Sequence, residues 1–209
     1  MPRIDYKNSK GEVSKGVTTI IGNNFAWNKS ALLGWAYNRG RDGLSLRDQE
    51  ALDTGTIAHQ WIEADIKNKS FKTPDIEKEM MDKVENSMLA YEEWKDQVKF
   101  KLLKSELSLI SEKYQFGGTI DIIGEINGQQ AIIDLKTSEA IYIDHKIQVI
   151  AYKELYNENF TDSPITMVYI LKLGKKDGGF SYHYLPDLKK EWEVFLLLLQ
   201  LEKLRKELK

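Results

Sequence analysis

Apolar residues recur at helical spacing through the first half of the chain, change to strand-like spacing near its middle, and alternate between the two rhythms afterwards. Residues 27–39 predict a short helix carrying Leu32, Leu33 and Trp35 and ended by Gly40. From Thr54 a second helix is expected, because Ala58, Ile62 and Ile66 repeat at i, i+4 and i+8 and so share one buried stripe. His59 and Glu63 stand beside that stripe. Ile76, Met80, Val84, Met88, Tyr91 and Trp94, spaced by threes and fours, mark a longer amphipathic helix over 74–98 whose apolar side belongs to the core.

The period then shortens. Residues 106–111, 116–126 and 130–137 mix Ile, Leu and Phe with polar residues as half-buried strands do. Asn127-Gly128 separates the last two and supplies the positive φ angles of a tight hairpin. Residues 144–157 predict a helix with Ile147, Ile150, Ala151 and Leu155 inward, and 164–172 a strand, so that a helical crossover permits parallel pairing. A last strand at 180–185 follows a glycine-bounded turn. Asp187 is then expected to cap a C-terminal helix whose 195–199 run is buried on several sides. The order is helices, then βββαββ, then a helix: an α/β domain with a mixed central β-sheet flanked by helices. Its 209 residues and 42% hydrophobic content suffice for one sizeable core, so a single domain over 1–209 is expected.

Composition narrows the chemistry. The absence of cysteine excludes a disulfide framework, a thiolate zinc site and a cysteine-held iron–sulfur cluster, so any metal must sit on oxygen and imidazole. No stretch reaches the roughly 20 apolar residues of a membrane span, and residues 1–15 lack the apolar run of a secretory signal. A soluble, cytoplasmic protein without a membrane partner is expected. With 30 Lys+Arg against 32 Asp+Glu the net charge is −2, so a polyanion would have to be met by a local basic face. Lys29, Trp35, Arg39 and Arg41 are candidates to contact phosphates or stack on bases at a strand end; they are equally candidates for a helix surface and core.

Acidic residues interrupt two runs otherwise apolar enough to be buried, Gly-Gly-Thr-Ile-Asp-Ile-Ile-Gly at 117–124 and Ala-Ile-Ile-Asp-Leu-Lys-Thr at 131–137. A buried carboxylate is tolerated only where a cation or several donors meet it. Asp134 and Lys136, two apart on one strand, project from the same face. The Asn-Gly hairpin folds Asp121 back beside Asp134, six residues out on each side of the turn. Two close carboxylates repel one another unless a divalent ion neutralises them, and oxygen ligands suit Mg²⁺ or Mn²⁺. A protonated Lys136 is no ligand, but it can orient a water, help it lose a proton and stabilise charge developing on a phosphoryl group.

Asp-x₁₂-Asp-x-Lys across a β-hairpin resembles the signature of the PD-(D/E)XK nuclease superfamily, in its RecB-like exonuclease branch. That branch carries an upstream Gly-x-x-x-His-x-x-x-Glu helix, matched by Gly55, His59 and Glu63, and a later Gln-x-x-x-Tyr pair, matched by Gln148 and Tyr152. The likeness spans roughly residues 27–172 and extends to phage recombination exonucleases and the mitochondrial genome maintenance exonuclease. It implies a restriction-endonuclease-like fold with an αβββαβ core, and one or two Mg²⁺ ions, with Mn²⁺ as substitute. The implied metal ligands are His59, Glu106, Asp121, Asp134 and the carbonyl of Leu135; Lys136 would activate water, and Gln148 and Tyr152 would steady the lysine or the substrate. Four cysteines that hold an iron–sulfur cluster in several relatives have no counterpart here.

The implied activity is hydrolysis of DNA, most often from a free end, in recombination, repair or replication within a bacterial or phage-infected cell. A helicase or a single-strand-binding or annealing protein would be a separate chain. An inert nuclease-fold module that binds DNA or protein, and a nuclease acting on RNA, stand as the alternatives. Glu63 reads as a solvated residue or as a partner to His59 or a basic group, and Gly117 and Gly118 as a tight turn or a place of close DNA approach.

Overall fold

The computed structural model describes residues 4–27, 29–44 and 49–208. Residues 1–3, and Asn28 inside the first predicted helix, lie outside the described residues. Along the chain run β1 (Tyr6–Lys7), β2 (Val13–Gly16), α1 (Val17–Asn24), α2 (Lys29–Arg41), α3 (Gln49–Ile66) and α4 (Lys78–Gln97). There follow β3 (Phe100–Ser111), β4 (Phe116–Ile126), β5 (Gln129–Lys136), α5 (Ile143–Asn159), β6 (Met167–Leu173), β7 (Phe180–Tyr184) and α6 (Lys189–Glu207).

The seven strands form one mixed sheet in the order β1-β2-β4-β5-β6-β7, with β3 on β4. Asn127 and Gly128 both take positive φ, 51° and 82°, as the tight turn between β4 and β5 demands. After α5 crosses over, β6 returns parallel to β5, from Ala131↔Met167 to Lys136↔Lys172. Alternation along the strands divides the core between two layers. Ile132, Val168 and Ile170 face α1, α5 and α6, where Val17, Ile147, Leu155 and Phe195 are buried. Ile133, Leu135, Tyr169 and Leu171 face the opposite way, against Ile62 of α3 and Tyr91 and Trp94 of α4. No helix among the described residues is long and apolar enough to cross a membrane.

The expected α/β architecture is the one found, with differences at its margins. β1, β2 and α1 precede the first expected helix; strands of two and four residues are too short to show a period. α2 continues through Gly40 to Arg41, and Leu32, Leu33 and Trp35 lie exposed on it. α3 begins at Gln49 and not Thr54, and α4 at Lys78 and not Pro74. β3 begins at Phe100, because an irregularity between Leu102 and Lys104 breaks the alternation that would have revealed its first half. The cap of α6 is Leu188, and Asp187 just outside it accepts a hydrogen bond from the Lys189 amide at 3.1 Å. Within 195–199, Phe195, Leu198 and Leu199 are buried but Leu197 faces outward.

Candidate active site

β3 occupies one edge of β4 along its whole length, from Phe100↔Ile126 to Ser111↔Phe116. β2 and β5 must therefore share the other edge. β5 takes Ile122 to Ile126 and β2 takes Phe116 and Gly117, so the strands part over the stretch that ends at Asp121. The alternation of β4 slips at the same point. Phe116, Ile120 and Ile123 face the α1, α5 and α6 layer, whereas Ile122 and Ile126 face α3 and α4. A cleft of about 750 Å³ opens here, and His59, Glu106, Asp121, Lys136, Gln148 and Tyr152 all line it.

The register Ile122↔Ile133 sets Asp121 beside Asp134. The Leu135 amide donates to Asp121 Oδ2 at 2.9 Å. Lys136 Nζ stands 2.5 Å from Asp134 Oδ2, in a pair whose side chains are 14% and 1% exposed. Asp134 Oδ1 is buried and accepts no hydrogen bond. Burial pushes both carboxyls above the usual range; Lys136 opposes this at each, while Asp121 adds to the rise at Asp134.

His59 reaches the same point from α3. A side chain at Gly55 would come within 2.9 Å of Thr137 Oγ1, so glycine lets the helix lie against the end of β5 one turn before the histidine. Burial and the Lys136 charge bring the imidazole down to about 4, against the influence of Asp134 and the Leu135 carbonyl beside it. The ring is neutral at pH 7, and its Nδ1 is buried without a hydrogen-bond partner.

Glu106 lies between Ser105 and Leu107, whose partners Ile122 and Ile120 flank Asp121, and its φ of 49° is a left-handed conformation rare for glutamate. Burial, then Asp121 and Glu63, push its carboxyl up to about 7, with Lys67 pulling the other way. Glu63 itself is paired with Lys67, the residue that follows α3, a basic partner and not the histidine.

On α5, Gln148 Nε2 donates to the Tyr152 hydroxyl at 2.9 Å. Gly117 and Gly118 lie within β4 and not in a turn, and each makes room for an aromatic ring. A Cβ at Gly118 would lie 2.7 Å from the Tyr152 ring, and one at Gly117 would lie 2.1 Å from Tyr6. Gly118→Ala should therefore displace Tyr152 and slow cleavage by about 10-fold, while over-packing costs about 1–3 kcal/mol of stability. Kinetics and thermal melts of the purified variant check both; an unchanged rate would remove Tyr152 from the site. His145, on the first turn of α5, accepts from the Tyr142 amide at 3.3 Å, and His183 pairs with Ser181 at 3.0 Å.

One wall of the cleft was not legible beforehand. Tyr6, Lys15, Thr18 and Thr19 line it from the N-terminal segment, and the Tyr6 hydroxyl meets Thr119 Oγ1 at 3.1 Å. Only the short Thr18-Thr19 polar step before Ile20-Ile21 hinted at a helix start there.

Among the described residues, no three His, Asp or Glu side chains are gathered as closely as an ion's shell requires. The donor chemistry nonetheless fits a divalent cation. Asp134 Oδ1 and His59 Nδ1 are both buried and unsatisfied, a costly state that coordination relieves, and carboxylate, carbonyl and imidazole together suit Mg²⁺ or Mn²⁺.

No curated protein matches the sequence. Among solved structures, a protein of Eubacterium rectale put forward as an exonuclease superposes with a TM-score of 0.50 at 12% identity, over 73% of this chain and 65%, less than two thirds, of that one. That likeness concerns the fold. The structure of SSO0001 gives a TM-score of 0.36 at 14% identity over 58% and 56% of the two chains. The family model of the PD-(D/E)XK nuclease superfamily matches residues 31–207, which include β3 to β7 and His59, Glu106, Asp121, Asp134 and Lys136, but not the wall of the cleft formed by the N-terminal segment. The chain belongs to the PD-(D/E)XK nuclease superfamily.

Proposed function

We propose that residues 1–209 are a single nuclease domain that hydrolyses DNA phosphodiesters with Mg²⁺ or Mn²⁺, working from a free end in recombination, repair or replication in the cytoplasm. The observation that carries this reading is the convergence of Asp121, Asp134, Lys136 and His59 where β4 and β5 part. His59, Glu106, Asp121, Asp134 and the Leu135 carbonyl would hold one or two ions. Such an ion polarises phosphoryl oxygens and makes water more acidic at neutral pH. Lys136 orients the attacking water and meets negative charge as it develops on the phosphoryl group, a role suited to a fixed cation in a partly dry cleft. With a cation balancing the Asp134 carboxylate, Lys136 Nζ would be available to water or phosphate. The Leu135 amide fixes the orientation of Asp121. Gln148 and Tyr152, bonded to each other, present one rigid polar group beside the lysine, where they steady it or the substrate backbone.

The reading is tested by incubating end-labelled single- and double-stranded DNA, and RNA, with Mg²⁺, Mn²⁺ or EDTA. Metal-dependent shortening from an end is expected, absent in EDTA and absent from Asp121→Ala. Binding without cleavage in every metal would leave an inert nuclease fold, and a preference for RNA would overturn the substrate assignment.

A further inference from the structure

α2 is the one helix among those fully described that buries none of its residues. Trp27 before it and Leu33 and Tyr37 on it are 70%, 60% and 71% exposed, and Trp35 is exposed as well. An isolated helix of this length is marginal in water, and apolar residues around its circumference call for a cover. Its charge says which. Lys29, Arg39 and Arg41 make α2 a run of three cations without one acidic residue, in a chain whose net charge is −2. A second copy packed on it by two-fold symmetry would set cations against cations. A polyanion with flat, stackable faces fits instead.

We propose that α2 is a binding platform for single-stranded DNA, with Trp35 and Tyr37 stacking on unpaired bases and Lys29 meeting the phosphates, joined by Arg41, whose Nε is paired with the exposed Asp42 carboxylate at 3.0 Å and whose terminal amino groups remain to reach a phosphate. This rests on the nuclease reading for the identity of its ligand. The guanidinium of Arg39 already lies 5.2 Å from the centre of the Trp35 ring, which holds that ring in a fixed orientation. Chain connectivity ties the platform to the cleft. α1 before it places Thr18 and Thr19 in the cleft wall, and α3 after it brings in His59. Stacking on aromatic side chains tolerates any base sequence but requires bases that are not paired, so the platform selects single strands over duplex.

The test is equilibrium binding in EDTA, where no cleavage occurs, to a labelled 20-nucleotide oligo-dT and to an abasic strand of the same length. Wild type should bind oligo-dT the more tightly. The double variant Trp35→Ala/Tyr37→Ala should lose about 10-fold or more in affinity for oligo-dT and little for the abasic strand. Lys29→Gln/Arg41→Gln should weaken both and flatten the salt dependence. Because these side chains are exposed, thermal midpoints should match wild type. Unchanged oligo-dT affinity in the aromatic variant, or an equal loss on both strands, overturns the proposal. So does a fall from dimer to monomer in light scattering with DNA binding intact, which would assign the face to a second copy. Binding that depends on α2 but is never followed by cleavage would defeat the nuclease reading alone.

Discussion

Replacing Lys136 by methionine should both stop the chemistry and destabilise the metal-free protein at alkaline pH, and acid should reverse only the second effect. Lys136 pairs with Asp134, and at both buried carboxyls it is the largest influence opposing the rise that burial causes. Burial has already raised these groups above their unfolded values, so their ionised forms cost stability. That cost is absent below the unfolded pKa and grows as pH rises through the folded one. Without the ammonium it grows further. Breaking a buried pair from one side typically costs about 3–5 kcal/mol, and Lys136, being slightly exposed, places the expectation near the lower end, about 3 kcal/mol at pH 8. Urea unfolding of wild type and variant at pH 8 and pH 5 should show the gap closing in acid; a gap of equal size at both would mean that Lys136 contributes packing and not charge. Cleavage should fall by about 10³-fold, the usual loss when a positioned proton-transfer or charge-stabilising group is removed.

Glu106→Gln should make the metal-free protein more stable at pH 8 and less active. The carboxyl titrates at about 7 when folded against 4.5 when free, so its ionisation cost is fully present above pH 7 and is relieved as pH falls toward 4.5. Wild type in EDTA should therefore gain more stability from pH 8 to 6.5 than the variant, which keeps only the ionisation cost of Asp121 and Asp134. Over that window the unscreened gain is about 0.8 kcal/mol, and because Glu106 is half exposed solvent screening reduces it to roughly half of that. The window stops at 6.5 for a reason. His59 titrates at about 4 when folded, and its contribution, present above 6.5, is lost as pH falls toward 4 and opposes the Glu106 effect there. Mn²⁺ should abolish the wild-type slope by keeping the carboxylate ionised. A wild-type slope that survives in saturating Mn²⁺ would place Glu106 outside the metal shell.

The pairing of Asp121 with Asp134 was legible in sequence because it depends on counting. A two-residue turn at Asn127-Gly128 leaves one register, and equal distances from that turn make neighbours. Asp134 and Lys136 on one face follow from the two-residue period of a strand, and the interior helices from their three-four spacing. These are local rules, and local rules can be read along a chain. His59, Gln148 and Tyr152 were reached through a resemblance, since one histidine on a helix or a Gln-Tyr pair at i, i+4 carries no period that distinguishes site from core.

What lay beyond the sequence was decided by edges and close approaches between distant segments. Nothing in Phe116 to Ile126 announces that β2 will claim one end of an edge whose other end belongs to β5, or that the alternation will slip at Asp121. Those two facts open the cleft. Gly117 and Gly118 acquire their meaning from Tyr6 and Tyr152, more than a hundred and about thirty residues away. The left-handed backbone of Glu106 is likewise imposed by the strand pairing around it, against its own preference. The sequence by itself determined which residues can be neighbours along a strand, a turn or a helix, because those neighbourhoods are set by backbone periodicity. Only the tertiary structure decided where the sheet parts to admit a substrate and which aromatic rings stay outside the core, because both depend on packing among segments that share no period.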